Sequence, residues 1–224
     1  EGVTTVGVLP GGGLIAGQGA VADTQPTAAA DMIRKAPVAM VASLASPERA
    51  GTGARGELFK RLREVLEDAR VYAAKKPAFE SASLRALAAP AADLAALAPV
   101  LDGKLLLLIE ADRATDIETA LALARDFTLR VGILGGAEAW MVAAQLAAAK
   151  VPVFTTALHS PPTTLATLAP RHQTTAPLRA IGVPSLASSV TCGAAMGSRL
   201  LDSGAVKVSQ PTSTRSCSCL PYWP

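Results

Sequence analysis

The chain has 224 residues, of which 50% are hydrophobic, 17% are charged and only 4% are aromatic. That apolar content excludes a disordered chain, because burial of apolar surface can offset the entropy lost on ordering. The formal net charge of +3 is too small and too dispersed for a nucleic-acid-binding surface. Since no apolar run reaches about 18 residues, the sequence predicts no membrane span.

The two ends of the chain carry weak signals. Glu1 is not preceded by a charged segment and an apolar stretch of the export type. We therefore interpret the chain as a fragment or a processed product, and its compartment stays open. The three cysteines at positions 192, 217 and 219 form no disulfide framework and are a weak zinc signal. Residues 203–224 have no sustained period, which predicts an irregular tail after a domain over residues 1–202.

The first hundred residues predict two strands and two helices. An apolar, β-branched run over residues 3–9 is typical of a buried strand, and a glycine-rich loop follows it. A second apolar run at 37–43 predicts another strand. An apolar stripe over 57–73 predicts a long helix, and an alanine- and leucine-rich segment over 86–98 predicts a second helix, broken at Pro90.

From residue 104 onward strands and helices alternate regularly. Thr115 and Glu118 fit a capping box, which predicts that a helix begins there and runs to about Phe127. The remaining predicted elements are strands at 105–109, 131–134, 151–155 and 183–187, and helices at 137–149 and up to 181–182. This alternation predicts an α/β fold with a parallel sheet and right-handed crossovers, and it excludes all-α and antiparallel all-β folds.

Active sites of parallel α/β folds lie at the carboxyl ends of the strands, so we examined those positions. Glu110, Asp112 and Arg113 form the most charged strand end, where two carboxylates beside a guanidinium could bind a metal or exchange a proton. The alternative is an Arg–Asp pair that fixes the loop before the next helix. His159 lies near a strand end and is the better candidate of the two histidines.

Two other features have both a functional and a structural interpretation. The glycine-rich residues 10–19 could hold a phosphate, which keeps a nucleotide-binding domain as a hypothesis. However, the segment lacks both common phosphate-loop spacings, so a turn with positive φ is favoured. Glu138 is interpreted either as a favourable charge in the first turn of a helix or as a solvated side chain.

Several segments in chain order resemble the amidohydrolase superfamily, in the branch similar to imidazolonepropionase. They are GVTTV with its glycine-rich continuation, FKRLREVLEDARVYA, LLLLIEADR, ILGGAEAW and LRAIGVPSLASS, which together cover roughly residues 1–190. The resemblance implies a partial (β/α)8 TIM barrel of the metal-dependent hydrolase type. It also implies hydrolysis of amide or cyclic amide C–N bonds in a small molecule or short peptide, by water that a divalent metal such as zinc activates. A homo-oligomer is a further expectation.

The metal-ligand positions of that family are degenerate in this chain. Glu110 and Gly135 stand where the family has histidines, and the family's aspartate would fall near residues 189–190. The His-x-His of the first barrel strand would lie before residue 1. Glu110 is therefore the one candidate metal ligand, and the catalytic candidates are Glu110, Asp112, Arg113 and His159. We expect hydrolysis to be impaired or absent; the alternative is a non-catalytic barrel that binds a ligand or stabilises a partner.

Overall fold

The computed structural model describes residues 5–24, 29–45, 54–74, 88–156, 175–188 and 205–206. Within these residues the protein is mixed α/β, with one eight-stranded sheet in the order β7-β6-β5-β4-β3-β2-β1-β8. The strands are β1 (Thr5–Val8), β2 (Ile15–Asp23), β3 (Ile33–Ser43), β4 (Leu106–Ala111), β5 (Val131–Gly135), β6 (Val153–Thr156), β7 (Ser185–Ser188) and β8 (Ala205–Val206). The helices are α1 (Ala29–Met32), α2 (Arg55–Ala74), α3 (Ala91–Leu101), α4 (Ala114–Phe127), a 3-10 helix (Ala139–Val142), α5 (Ala143–Ala148) and α6 (Thr175–Ala180).

Strands β3 to β7 pair in parallel, as the alternation of strands and helices predicts. Ser43 lies opposite Glu110, and Glu110 lies opposite Leu134, so the carboxyl ends of β3, β4 and β5 meet at one edge. The helices after these strands pack on one face of the sheet, which makes this part of the molecule a curled half-barrel. None of the helices in the described part of the chain is long and apolar enough to cross a membrane.

The packed face follows from the side-chain spacing of the elements. Leu58, Leu62, Leu66 and Ala69 recur along α2 at helical spacing and are fully buried. They meet alternate residues of the strands, because side chains on a strand point to opposite faces in turn. The strand residues of this core are Met40, Ala42, Leu107, Ile109, Ala111, Val131, Ile133 and Val153. The long helix predicted over 57–73 is therefore confirmed.

The amino-terminal segment differs from the prediction of a loop over residues 10–19. β1 and β2 form an antiparallel hairpin, and β2 already begins at Ile15. Gly12 and Gly13 have φ values of 95° and 71°, so the expected positive-φ turn is present but short. This strand was not predicted, because β2 is rich in glycine and alanine. The turn joins two strands, whereas phosphate loops lead from a strand into a helix, which argues against nucleotide binding there.

Two predicted helices have different bounds in the structure. The helical segment predicted over 86–98 with a break at Pro90 does break there: α3 begins at Ala91, has Pro90 at its N-cap and extends to Leu101. Residues 86–87 lie outside the described part. The helix predicted over 137–149 is divided into the 3-10 helix and α5. Of the predicted irregular tail, residues 205–206 pair with β1 as β8, and its other residues lie outside the described part, as do the three cysteines.

A buried ion pair connects the starts of α2 and α4. The Arg55 guanidinium donates to the Asp116 carboxylate, whose side chain is only 3% exposed. Burial raises the pKa of Asp116 above its ordinary value of 3.8, while the nearby Arg55 and Arg113 lower it and Glu138 raises it. Loss of Arg55 would leave a buried carboxylate without this partner, which is costly in a low-dielectric interior.

We predict that Arg55→Gln lowers the free energy of unfolding by about 2 kcal/mol at pH 7. Burial raises the folded-state pKa of Asp116. Ionisation of this carboxyl therefore lowers the free energy of unfolding as the pH rises through the folded-state pKa. Without Arg55 the pKa of Asp116 rises further. The difference in unfolding free energy between Arg55→Gln and the unaltered chain should therefore shrink below about pH 4, where the Asp116 carboxyl is protonated. Urea denaturation at several pH values measures both effects.

The matched control is Arg61→Gln, which removes an exposed ion pair with Glu57 from the same helix. Exposed pairs contribute little, so we expect a loss below about 0.5 kcal/mol and no comparable pH dependence. Equal losses for the two variants at pH 7 would contradict the assignment of a structural role to the Arg55–Asp116 pair.

Candidate functional site

Four side chains form a row across adjacent parallel strands. Ser43 of β3, Glu110 of β4, Leu134 of β5 and Phe154 of β6 occupy successive paired positions. Leu134 and Phe154 pack against a small apolar cluster that includes Leu108, on the sheet face opposite the helix-covered core. We call these four residues the strand-end row. Ser43, Glu110 and Leu134 lie at the edge where the fold class predicts an active site, whereas Phe154 is the second of the four residues of β6.

Ser43 and Glu110 form the polar half of the strand-end row. The Ser43 hydroxyl donates to Glu110 Oε2 at 2.7 Å, and Ser43 is only 3% exposed. The Leu44 N–H donates to the carbonyl oxygen of Glu110 at 2.9 Å, which fixes the backbone at the same point. Glu110 is half-buried and has no other side-chain hydrogen bond to the described residues. Its carboxylate can therefore accept a further hydrogen bond from a ligand.

The Asp112 side chain is directed toward the loop that follows β5. Its Oδ1 accepts the Ala137 N–H at 3.3 Å, and its carbonyl oxygen accepts the Glu138 N–H at 2.9 Å. A Cβ built on Gly135 would lie only 2.6 Å from Asp112 Oδ1, and Gly135 has a φ of +93°. The left-handed backbone favours glycine at this position, and a Cβ would also have to displace the Asp112 carboxylate. The Asp112 carboxylate thus occupies the space of a side chain at position 135.

Glu138 caps the helix that follows the neighbouring strand. Its Oε2 accepts the Ala114 N–H at 3.0 Å, at the amino end of α4, where a negative charge is favourable. The capping box predicted at Thr115 and Glu118 is wrong. The helix already begins at Ala114, and no side chain of its own N-cap residue makes the capping hydrogen bond. The cap comes instead from the next loop, a contact that no local pattern reveals.

The sequence-predicted candidates share one edge but have different partners. Glu110 is bonded to Ser43, Asp112 to the loop after β5, and Arg113 lies close enough to Asp116 to lower the pKa of that carboxyl. His159 lies outside the described residues. Sequence reasoning missed Ser43. The signal that could have found it is its place as the last residue of an apolar strand.

The described residues do not fit a metal centre of the family type. A catalytic zinc site usually takes three protein ligands. At the two positions where the resemblance predicts histidines, the chain offers the Glu110 carboxylate and Gly135, which has no side chain. Within the described ranges no group of three or more His, Cys, Asp or Glu side chains could hold a metal ion.

The structure resembles a known protein of the same fold class. The structure is similar to the crystal structure of an amidohydrolase from Thermotoga maritima MSB8, with a TM-score of 0.73 and 25% sequence identity. The match covers 83% of this chain and 50% of that chain, so the present chain spans about half the length of this relative. No family model matches the chain, and no curated protein matches it significantly. The likeness supports a relationship to the amidohydrolase superfamily.

We predict that Gly135→Ala lowers the free energy of unfolding by about 2–3 kcal/mol, because it adds backbone strain and displaces the Asp112 carboxylate from Ala137. In an Asp112→Ala background the same change should cost only the backbone strain, about 1 kcal/mol. Denaturant unfolding of the four proteins measures this coupling.

Gly182→Ala is the matched control for this cycle. Gly182 also has a positive φ, of +80°, but a Cβ there meets nothing within 4 Å. We expect about 1 kcal/mol from backbone strain alone, whether or not Asp112 is present. If Gly135→Ala costs no more than Gly182→Ala, the close approach of Asp112 is not what excludes a side chain.

A separate prediction concerns the cap on α4. Glu138→Ala should lower the free energy of unfolding by about 1 kcal/mol, because the Ala114 N–H loses its acceptor. Thr115→Ala should change it by less than about 0.5 kcal/mol, since the exposed Thr115 side chain does not cap the helix. Thermal or urea unfolding compares the two variants. A larger loss of unfolding free energy for Thr115→Ala than for Glu138→Ala would support the predicted capping box at Thr115 and Glu118 instead.

Proposed function

We propose that this protein is an amidohydrolase-related half-barrel in which hydrolysis is impaired and the strand-end row binds a small molecule or short peptide. The observation that carries the proposal is the Asp112 carboxylate filling the space beside Gly135, 2.6 Å from the position of a Cβ. This arrangement supports a site that has been rebuilt without a ligand at position 135. The likeness to a solved amidohydrolase supports the family relationship.

The strand-end row suits a ligand that carries an N–H group beside an apolar part. The Ser43 hydroxyl holds one oxygen of Glu110, which orients the carboxylate toward a donor. Leu134, on the strand next to that of Glu110, and Phe154, on the strand after it, are half-buried and offer apolar contacts. An amide or cyclic amide combines such a donor with a compact apolar body, so the chemical class acted on by the family and the class bound here would coincide.

Hydrolysis in the family depends on a metal that activates water, and the described residues of this chain supply one carboxylate for such a metal. We therefore derive no catalytic step for Glu110, Asp112 or Arg113. In our proposal Glu110 accepts a hydrogen bond from the ligand. Asp112 and Arg113 position the loop and the first turn of α4, through Ala137 and near Asp116 respectively.

A second candidate function is retained because the chain spans about half of the Thermotoga amidohydrolase. In that case the hydrolysis of a C–N bond would use metal ligands that lie outside the described residues, with Glu110 as one ligand and His159 as a further candidate. This alternative requires a metal that is held tightly enough to measure.

The first experiment is metal analysis of the purified chain after incubation with zinc and removal of the excess. Binding of leucinamide, which has amide and amine N–H groups and an apolar side chain, is then measured by calorimetry. We expect less than stoichiometric zinc and leucinamide binding that Glu110→Gln weakens by about tenfold, because a hydrogen bond to a charged acceptor is lost.

The matched control is Glu64→Gln, which makes the same charge change at an exposed position on α2. We expect it to leave leucinamide binding unchanged. Leucinamide binding that is indifferent to Glu110→Gln would contradict the proposed site. One zinc ion per chain that is lost in Glu110→Gln, together with hydrolysis of an amide substrate, would favour the second candidate.

A further inference from the structure

A groove of about 1070 Å³ lies at the opposite edge of the sheet, at the amino ends of the parallel strands. Leu106 and Val131 open β4 and β5, and Val151 and Pro152 precede β6; all four line the groove and give it an apolar floor. Ser43 and Glu110 of the strand-end row lie at the other ends of their strands, so the groove opens at a different edge from the polar half of the site proposed above. Phe154 of the row lies next to the groove residue Pro152, since both are 3.4 Å from a Cβ built on Gly132.

The rim of the groove is positively charged. Arg125, Arg130 and Lys150 line it, and no aspartate or glutamate among the described residues does. Arg130 donates to the Gly103 carbonyl oxygen at 3.3 Å, while Arg125 and Lys150 make no hydrogen bond or ion pair with the described residues. All three side chains belong to exposed residues. The groove thus presents three cations above an apolar floor.

The neighbouring acidic residues are already paired elsewhere. Asp126, next to Arg125 in sequence, pairs with Arg63, and Asp102 pairs with Lys104. Glu118 accepts a hydrogen bond from Gln145, a groove-lining residue, at 2.9 Å. Asp126 and Asp102 are thus neutralised by other cations, whereas the Glu118 charge, bonded to the neutral Gln145 amide, stays beside the groove and offsets part of the charge of the three cations.

The cations are also not needed to cap the helices that end here. The Leu129 N–H donates to the Ala124 carbonyl oxygen at 2.9 Å and closes α4. The Val151 N–H donates to the Leu146 carbonyl oxygen at 3.0 Å and closes α5 in the same way. Backbone groups therefore satisfy these helix ends, and the basic side chains remain available to a ligand.

We propose that this groove binds an amphipathic organic anion, in which an apolar chain lies on the floor and one carboxylate meets Arg125, Arg130 and Lys150. Guanidinium groups bind carboxylates in a fixed geometry, and charge-assisted hydrogen bonds are stronger than neutral ones. The apolar floor selects an organic anion over an inorganic one, because burial of the chain adds to affinity. The proposal is independent of the function assigned to the strand-end row.

Octanoate is the probe, measured by calorimetry against the full chain. We expect saturable binding of one octanoate per chain, weakened several-fold by 0.5 M salt because exposed charges are screened. The Arg125→Gln/Lys150→Gln variant should bind at least about tenfold more weakly. Lys60→Gln, which removes one exposed cation from α2, should bind like the unaltered chain.

A second variant tests the floor without disturbing the core. Ala148 is exposed and lines the groove, so Ala148→Trp should fill it and abolish octanoate binding while thermal unfolding stays cooperative. 1-Octanol has the apolar chain without the charge, and sulfate has charge without an apolar chain. Both should bind far more weakly than octanoate. Failure of octanoate to bind, or equal binding of 1-octanol, sulfate or the double variant, would overturn the proposal.

Discussion

Backbone hydrogen bonds between β3, β4, β5 and β6 set the positions of the residues in the strand-end row. Because these strands pair in parallel and in register, Ser43, Glu110 and Leu134 stand side by side at one edge. The same pairing brings Ala111 opposite Gly135, so the loops that carry Asp112 and Glu138 leave the sheet next to each other. A shift of one residue would turn Glu110 into the helix-covered core, where a carboxylate would lack partners.

Gly135 and the Asp112 carboxylate depend on each other at the loop after β5. Asp112 fills the adjacent space and bonds to Ala137, so the loop after β5 depends on the carboxylate from β4. Replacing Gly135 with histidine would have to displace that carboxylate and accept an unfavourable φ.

The parallel half of the sheet was predictable because continuous apolar runs such as that at 105–109 identify strands buried on both faces. The apolar stripe of α2 was equally clear. β2 was not predictable, since it consists mostly of glycines and alanines and has few of the β-branched residues that mark a strand. In the site, Glu110 was found from its position after a strand. Ser43 and the cap by Glu138 arise from contacts between distant segments, 67 and 24 residues apart, which a local pattern does not contain.

The bond from the Ala114 N–H to Glu138 has a consequence for folding. The helix α4 obtains its cap from a loop that is in place only after β5 has joined β4. The β4–α4 repeat is therefore completed by the repeat that follows it. The repeats should accordingly open and close together as one cooperative unit, rather than as modules that can be exchanged one at a time.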